Sequence, residues 1–166
     1  MLFISCKQPI PKEITKIELA EGPCFGSCIP MAVSIDSSLK YAFYEDSSFT
    51  WNKIKPKKPI VSDIGVANRQ LWNNVINLLD SIDYKHLASL TQLKELDGQD
   101  MELIVYCGRN KFRIVNRDDK TEKIINLFET INKQVKLSPT IDTLNFGTTV
   151  QWGFKHRKLL KNKSKK

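Results

Sequence analysis

Two runs of alternating residues constrain the fold more than anything else in this chain. Met31, Val33 and Ile35 alternate with Ala32, Ser34 and Asp36, and after a polar break at Asp36, Ser37 and Ser38 the residues Leu39, Tyr41 and Phe43 repeat the period of two. That period sends one set of side chains to each face of an extended strand, so the pair reads as a β-hairpin. Its turn lacks the usual glycine. The second pair lies downstream. Met101, Leu103, Val105 and Cys107 alternate with Glu102, Ile104 and Tyr106, and Phe112 and Ile114 continue beyond Gly108-Arg109-Asn110. Gly and Asn tolerate positive φ, which suits a tight reversal there. Cys107, at a strand end, is expected to pack as a small buried group.

Three further extended pieces are expected. Ile17 and Leu19 share one face of a strand ahead of the first hairpin, with Lys16 and Glu18 opposite. Residues 49–54 suggest another strand. Residues 141–154 suggest a last one, with Phe146, Val150, Trp152 and Phe154 as its buried positions. Pro56 and Pro59 make residues 55–62 a connector, because proline fits neither a helix interior nor a central strand.

Two helices carry the other periodicity. Leu71, Val75, Leu78 and Ile82 fall at three- and four-residue steps over about 67–80, widened by Trp72, Ile76 and Leu79, with Asn68, Asn73, Asn74 and Asn77 on the wet side. The asparagines make this helix weak by propensity, so packing must hold it. Burying each large apolar side chain contributes roughly 1.5–3 kcal/mol. Ile124, Leu127, Phe128, Ile131 and Val135 form the stripe of a second helix over about 120–136. Asp119 and Glu122 have capping-box spacing at its start, and Pro139 lies just past its end. Residues 84–98 read as a short helix or an irregular excursion. Hairpins plus two helices predict an α+β domain: a mainly antiparallel sheet with helices packed on one face.

Charge divides the chain unevenly. The net charge is +8, and Lys155, Arg157, Lys158, Lys161, Lys163, Lys165 and Lys166 all fall within the last twelve residues, which hold no acid. Without them the remainder is near +1. The expected organisation is an extension over 1–11, one domain over 12–154 and a basic tail over 155–166. The tail reads first as a solubilising end. The alternative is weak, nonspecific electrostatic contact with nucleic acid or an anionic surface, with Trp152 and Phe154 near enough to add stacking. No stretch approaches the roughly 18 consecutive apolar residues of a membrane-spanning segment.

Residues 22–30 are the most unusual segment: Gly22-Pro23-Cys24-Phe25-Gly26-Ser27-Cys28-Ile29-Pro30. Such composition describes a shaped loop. Cys24 and Cys28 are near enough in sequence for a small disulfide ring, provided their Cα atoms come within about 4.4–6.8 Å. A structural loop, oxidised or reduced, is the leading reading. A redox pair is the alternative, although three residues intervene where thioredoxin-like motifs have two. Cys6, Cys107, His86 and His156 are too scattered to select a metal site. Cysteine-histidine catalysis would need His86 or His156 beside the loop. Asp118-Asp119 and Glu95 with Asp97 sit in turn-like or cap-like contexts. No cofactor motif is present, and the Gly108 turn has no phosphate-cradle pattern.

The first residues, Met-Leu-Phe-Ile-Ser-Cys, support two expectations. One is an ordinary first strand or frayed end. The other is the remnant of a bacterial lipoprotein leader, with Cys6 as the lipidated residue, although no basic region precedes it.

From Ile17-Glu18-Leu19 through Cys24-Phe25-Gly26-Ser27-Cys28 to Pro30, the strand at 31–36 and Tyr41, the chain resembles the bacterial DUF6438 family. That family shows a Cys-aromatic-Gly-x-Cys-Pro motif followed by a hairpin. The likeness spans about residues 14–135 and is strong over 17–44. Ile29 departs from it by separating Cys28 from Pro30, and Asp36-Ser37-Ser38 stands where an Asp-Gly turn is common. The resemblance implies a fold class, an envelope or lipoprotein-like setting, and no catalytic residue. The expected function is a noncatalytic structural or protein-interaction domain of unknown partner. The alternatives are a small thiol-dependent enzyme using Cys24 or Cys28, and anion binding through the tail. The compartment follows Cys6: envelope or periplasm if it is lipidated, cytoplasm otherwise.

Overall fold

The structure, a computed structural model, describes residues 13–22, 28–46, 60–90, 100–115, 118–142 and 144–148. Strands β1 (Ile14–Glu21), β2 (Met31–Asp36), β3 (Lys40–Asp46), β4 (Ile60–Val66), β5 (Met101–Cys107), β6 (Asn110–Ile114) and β7 (Ser138–Pro139) form one sheet in the order β6-β5-β1-β2-β3-β4-β7. Every neighbouring pair is antiparallel. Helices α1 (Arg69–Ser81), α2 (Tyr84–Ser89) and α3 (Asp119–Gln134) complete the α+β architecture.

Both predicted hairpins form. The glycine-free turn between β2 and β3 works because Asp36 organises it. Its Oδ1 accepts from Ser38 N at 2.9 Å, Ser38 Oγ at 2.6 Å and Lys40 N at 3.1 Å. These bonds hold Leu39 at φ 70°, a left-handed conformation that costs a branched side chain about 1–2 kcal/mol.

The helices cover one face of the sheet. Ile17, Leu19, Val33, Ile35, Leu103 and Val105 point into a core closed by Leu71, Val75 and Leu79 of α1 and by Ile124, Phe128 and Ile131 of α3. Asn68 caps α1 instead of lying along its wet side, accepting from Leu71 N at 2.8 Å. In α2, Tyr84 is buried edge-on to Phe112 at 5.4 Å between ring centroids.

Three expectations need correction. The connector over 55–62 ends early, since β4 begins at Ile60, directly after the prolines. Its apolar residues do not alternate cleanly, because Asp63 and Gly65 occupy the helix-side positions opposite Phe43 and Tyr41. Gly65 is needed there: a Cβ would sit 2.6 Å from Val135 Cγ1 and 2.8 Å from the Lys136 carbonyl. The capping box of α3 is Asp118 with Thr121, one residue earlier than the Asp119–Glu122 spacing suggested. The buried Thr121 hydroxyl accepts from Asp118 N at 2.8 Å, so a hydroxyl takes the place of the glutamate. The last strand expected over 141–154 is not formed where it is described. Residues 144–148 run as an irregular strap, and the only late strand among the described residues is β7, where Pro139 sits on the sheet edge, as proline must. The strand expected over 49–54 lies outside the described residues.

Candidate functional site

The register fixes what stands on the other face of the sheet. Along β1 that face carries Lys16, Glu18 and Ala20. The ladders set Asp36, Ser34 and Ala32 of β2 beside them on one side, and Tyr106, Ile104 and Glu102 of β5 on the other. Lys40, Ala42 and Tyr44 of β3 and Val66, Ile64 and Ser62 of β4 extend the rows. The strap closes one part of this face, the row of Ala32, Tyr44 and Ser62 is buried as well, and among the described residues the face is open at the end that carries Asp36, Lys40, Ile64 and Val66.

The strap closes the β1–β5–β6 part. It lies over two carboxylates that are almost completely buried, Glu18 at 1% exposure and Glu102 at 0%. Glu18 Oε2 accepts the Gly147 N–H at 2.7 Å and the Tyr106 hydroxyl at 2.9 Å. Its Oε1 faces Lys16 Nζ at 2.6 Å, an ion pair without hydrogen-bond geometry. Glu102 takes Arg113 Nε on one oxygen and the buried Thr148 hydroxyl on the other. Lys111 Nζ donates to the Gly147 carbonyl at 3.2 Å. A Cβ on Gly147 would fall 2.1 Å from the Tyr106 hydroxyl, so only glycine lets the strap come this close. Burial raises the Tyr106 pKa above the ordinary tyrosine value, reinforced by its bond to Glu18 and by the negative charges of Glu18 and Glu102. Tyr106 therefore stays protonated and donates.

The open end of β2, β3 and β4, from Ser34, Ala42 and Ile64 to Asp36, Lys40 and Val66, is a trough of about 830 Å³. Its depth comes from small residues, Ser34 and Ala42. Ile64 and Val66 form one side, and Leu144 and Phe146 of the strap also line it. Ile64 is 45% exposed and Val66 72%, side by side on one strand. Lys16, Lys40 and Lys136 bring positive charge to the lining, and Asp36 is the single acid of the lining among the described residues.

The sites singled out from sequence lie elsewhere. Cys28 is half-buried and disulfide-bonded, and its partner is outside the described residues, as are Cys6, Cys24 and the basic residues of 155–166. Cys107 is free and buried as expected, with its sulfur 3.3 Å from the Tyr84 hydroxyl. His86 is exposed in the first turn of α2, where its backbone N–H donates to Asp83. Among the described residues no group of His, Cys, Asp and Glu is placed to hold a metal, and no helix is long and apolar enough to cross a membrane.

Glu18, Glu102 and Gly147 were not singled out by sequence reasoning. A signal existed. Ala20 and Ile104 share a face with the two glutamates, and a solvent-facing side of a central strand seldom carries so much apolar surface. A scan against protein-family models found no match, and a search of curated proteins found none.

Proposed function

We propose that this domain acts by binding rather than by covalent chemistry, and that the trough is its contact surface. The exposure of Ile64 and Val66 beside one another carries this reading. Large apolar side chains grouped on a surface mark places that another molecule covers. The buried acids support it. Glu18 and Glu102 lie on the same face of neighbouring strands, and each is committed to holding the strap. A binding domain also fits the DUF6438 resemblance and the envelope setting that it implies.

The test uses Nile red, a neutral dye whose fluorescence rises in apolar surroundings. The expected result is saturable binding to the folded chain, weakened severalfold by Val66→Ser and by Ile64→Ser. Both positions are exposed, so folding stability should shift by less than about 1 kcal/mol. Dye affinity unchanged in both variants would remove the trough from the account.

Cys24 is the inferred partner of Cys28. Cys107 is free, which leaves Cys6 and Cys24, and a five-residue ring suits a loop with two prolines and two glycines. Non-reducing peptide mapping should recover Cys24 and Cys28 linked. A Cys6–Cys28 link would contradict the ring.

A further inference from the structure

We infer that the trough takes a small anionic amphiphile. Its apolar body lies against Ile64, Val66 and Phe146, and its carboxylate, sulfate or phosphate head meets Lys40 and Lys136. This rests on reading the trough as a binding surface and adds the class of ligand.

Size is the first argument. A volume of about 830 Å³ lies within the range of small-molecule sites and is larger than a single inserted side chain requires. Charge is the second. Of the three lysines, Lys16 is offset by Glu18 at 2.6 Å. The Asp36 carboxylate is engaged by the donors of its own turn, including the Lys40 backbone N–H. Among the described residues no carboxylate pairs with Lys40 or Lys136. Two ammonium groups without a carboxylate partner among the described residues, beside exposed apolar residues, match a ligand with one charged and one apolar end. Lysine suits this task, because its long stem can lie along an apolar body while its head meets an anion.

The neighbouring backbone decides against a peptide. An extended peptide gains affinity from main-chain bonds to a free strand edge. The edge of β4 beside the trough is paired with β7 at Asp63 and Ile64, and Thr140 N donates to the Ser62 carbonyl at 2.8 Å. In its place β7 offers an edge of only two residues, one of them Pro139, which has no N–H to donate. The basic tail of the chain itself has the wrong sign for these lysines.

The experiment displaces Nile red from the full chain with matched dodecyl amphiphiles, each kept below its micelle-forming concentration. Dodecanoate should displace the dye at about tenfold lower concentration than dodecanol or dodecylammonium, the size of one modest charge-assisted contact. Lys40→Gln combined with Lys136→Gln should remove that preference and leave displacement by dodecanol unchanged. Both lysines are exposed, so the double variant should fold, which circular dichroism checks. Equal displacement by all three amphiphiles, with the dye still sensitive to Val66→Ser, would overturn the anionic class and leave the trough standing as a binding surface. Loss of that sensitivity would overturn both. Stronger displacement by a glutamate-rich peptide with one apolar anchor than by dodecanoate would reassign the trough to an acidic protein segment, and the amphiphile inference would fall.

Discussion

The two faces of the sheet are buried by different physics. On the helix side, Ile17, Leu19, Val33, Ile35, Leu103 and Val105 are all at or below 1% exposure, and every one is aliphatic. On the strap side, Glu18, Ala20, Ala32, Glu102 and Ile104 are equally inaccessible, and two of the five carry a carboxylate. The first face is stabilised by area, which many side chains share and which tolerates small changes of shape. The second depends on a few directed bonds, each of which leaves a buried polar group exposed to failure when its partner is removed. The helix face therefore accounts for the existence of the fold. The strap face determines where one segment of chain lies, and so bounds the trough at the Asp36, Lys40 and Val66 end of the sheet.

The largest expected effect tests the helix face. Phe128→Ala should cost about 3–5 kcal/mol in urea denaturation, since Phe128 fills the space between α3 and the sheet at 1% exposure. A loss below about 1 kcal/mol would mean that this core is loosely packed.

The strap face should show an intermediate effect with a different signature. Gly147→Ala should cost about 1–3 kcal/mol, because the new Cβ meets the Tyr106 hydroxyl, which Glu18 holds in place. It should also alter Nile red binding, since Phe146 and Leu144 line the trough. Phe128→Ala, measured where it remains folded, should not. If both variants changed dye binding alike, the division between the faces would fail.

Alkaline pH gives the smallest effect, absent near neutrality. Burial is the main cause that raises the pKa of Tyr41, Tyr84 and Tyr106 above the ordinary tyrosine value. Tyr84 is raised further by its bond to Cys107, and Tyr106 by its bond to Glu18. The unfolded chain releases these protons near pH 10, whereas the folded chain retains them. Their contribution is thus fully present below about pH 10 and is lost as pH rises through the higher folded values. Thermal melts should show a falling midpoint above about pH 10, and Tyr106→Phe should lessen the fall by its own share. A flat profile into strong alkali would contradict the burial of these hydroxyls.

What was legible in the sequence follows the same division. The helix face announced itself, because a period of two in β1, β2, β3 and β5 and the stripes of α1 and α3 all count apolar side chains. Strand β4 was hidden by Asp63 and Gly65. Gly65 answers to the close approach of Val135 and Lys136, a tertiary demand that no local pattern carries. The capping box was misplaced by one residue because Asp118 and Asp119 offer the same spacing, and only the buried Thr121 hydroxyl distinguishes them. The strap was unreadable for a related reason. Its backbone bonds to side chains about 130 residues away in sequence, as in Gly147 N–H to Glu18, so no ladder imposes a period on it. The trough was invisible because it is made by what is small, Ser34 and Ala42, and by exposed residues of the strand that was missed.

The hydrogen exchange of the Gly147 amide tests the two-faced account most directly. In the native chain it should be slow, protected by its bond to the buried Glu18 carboxylate. In Glu18→Ala it should exchange at the rate of an open peptide, while the amides of the β1–β5 ladder keep their protection. A Gly147 amide that exchanges freely in the native chain would show that the carboxylates do not hold the strap, and the closed part of this face would lose its explanation.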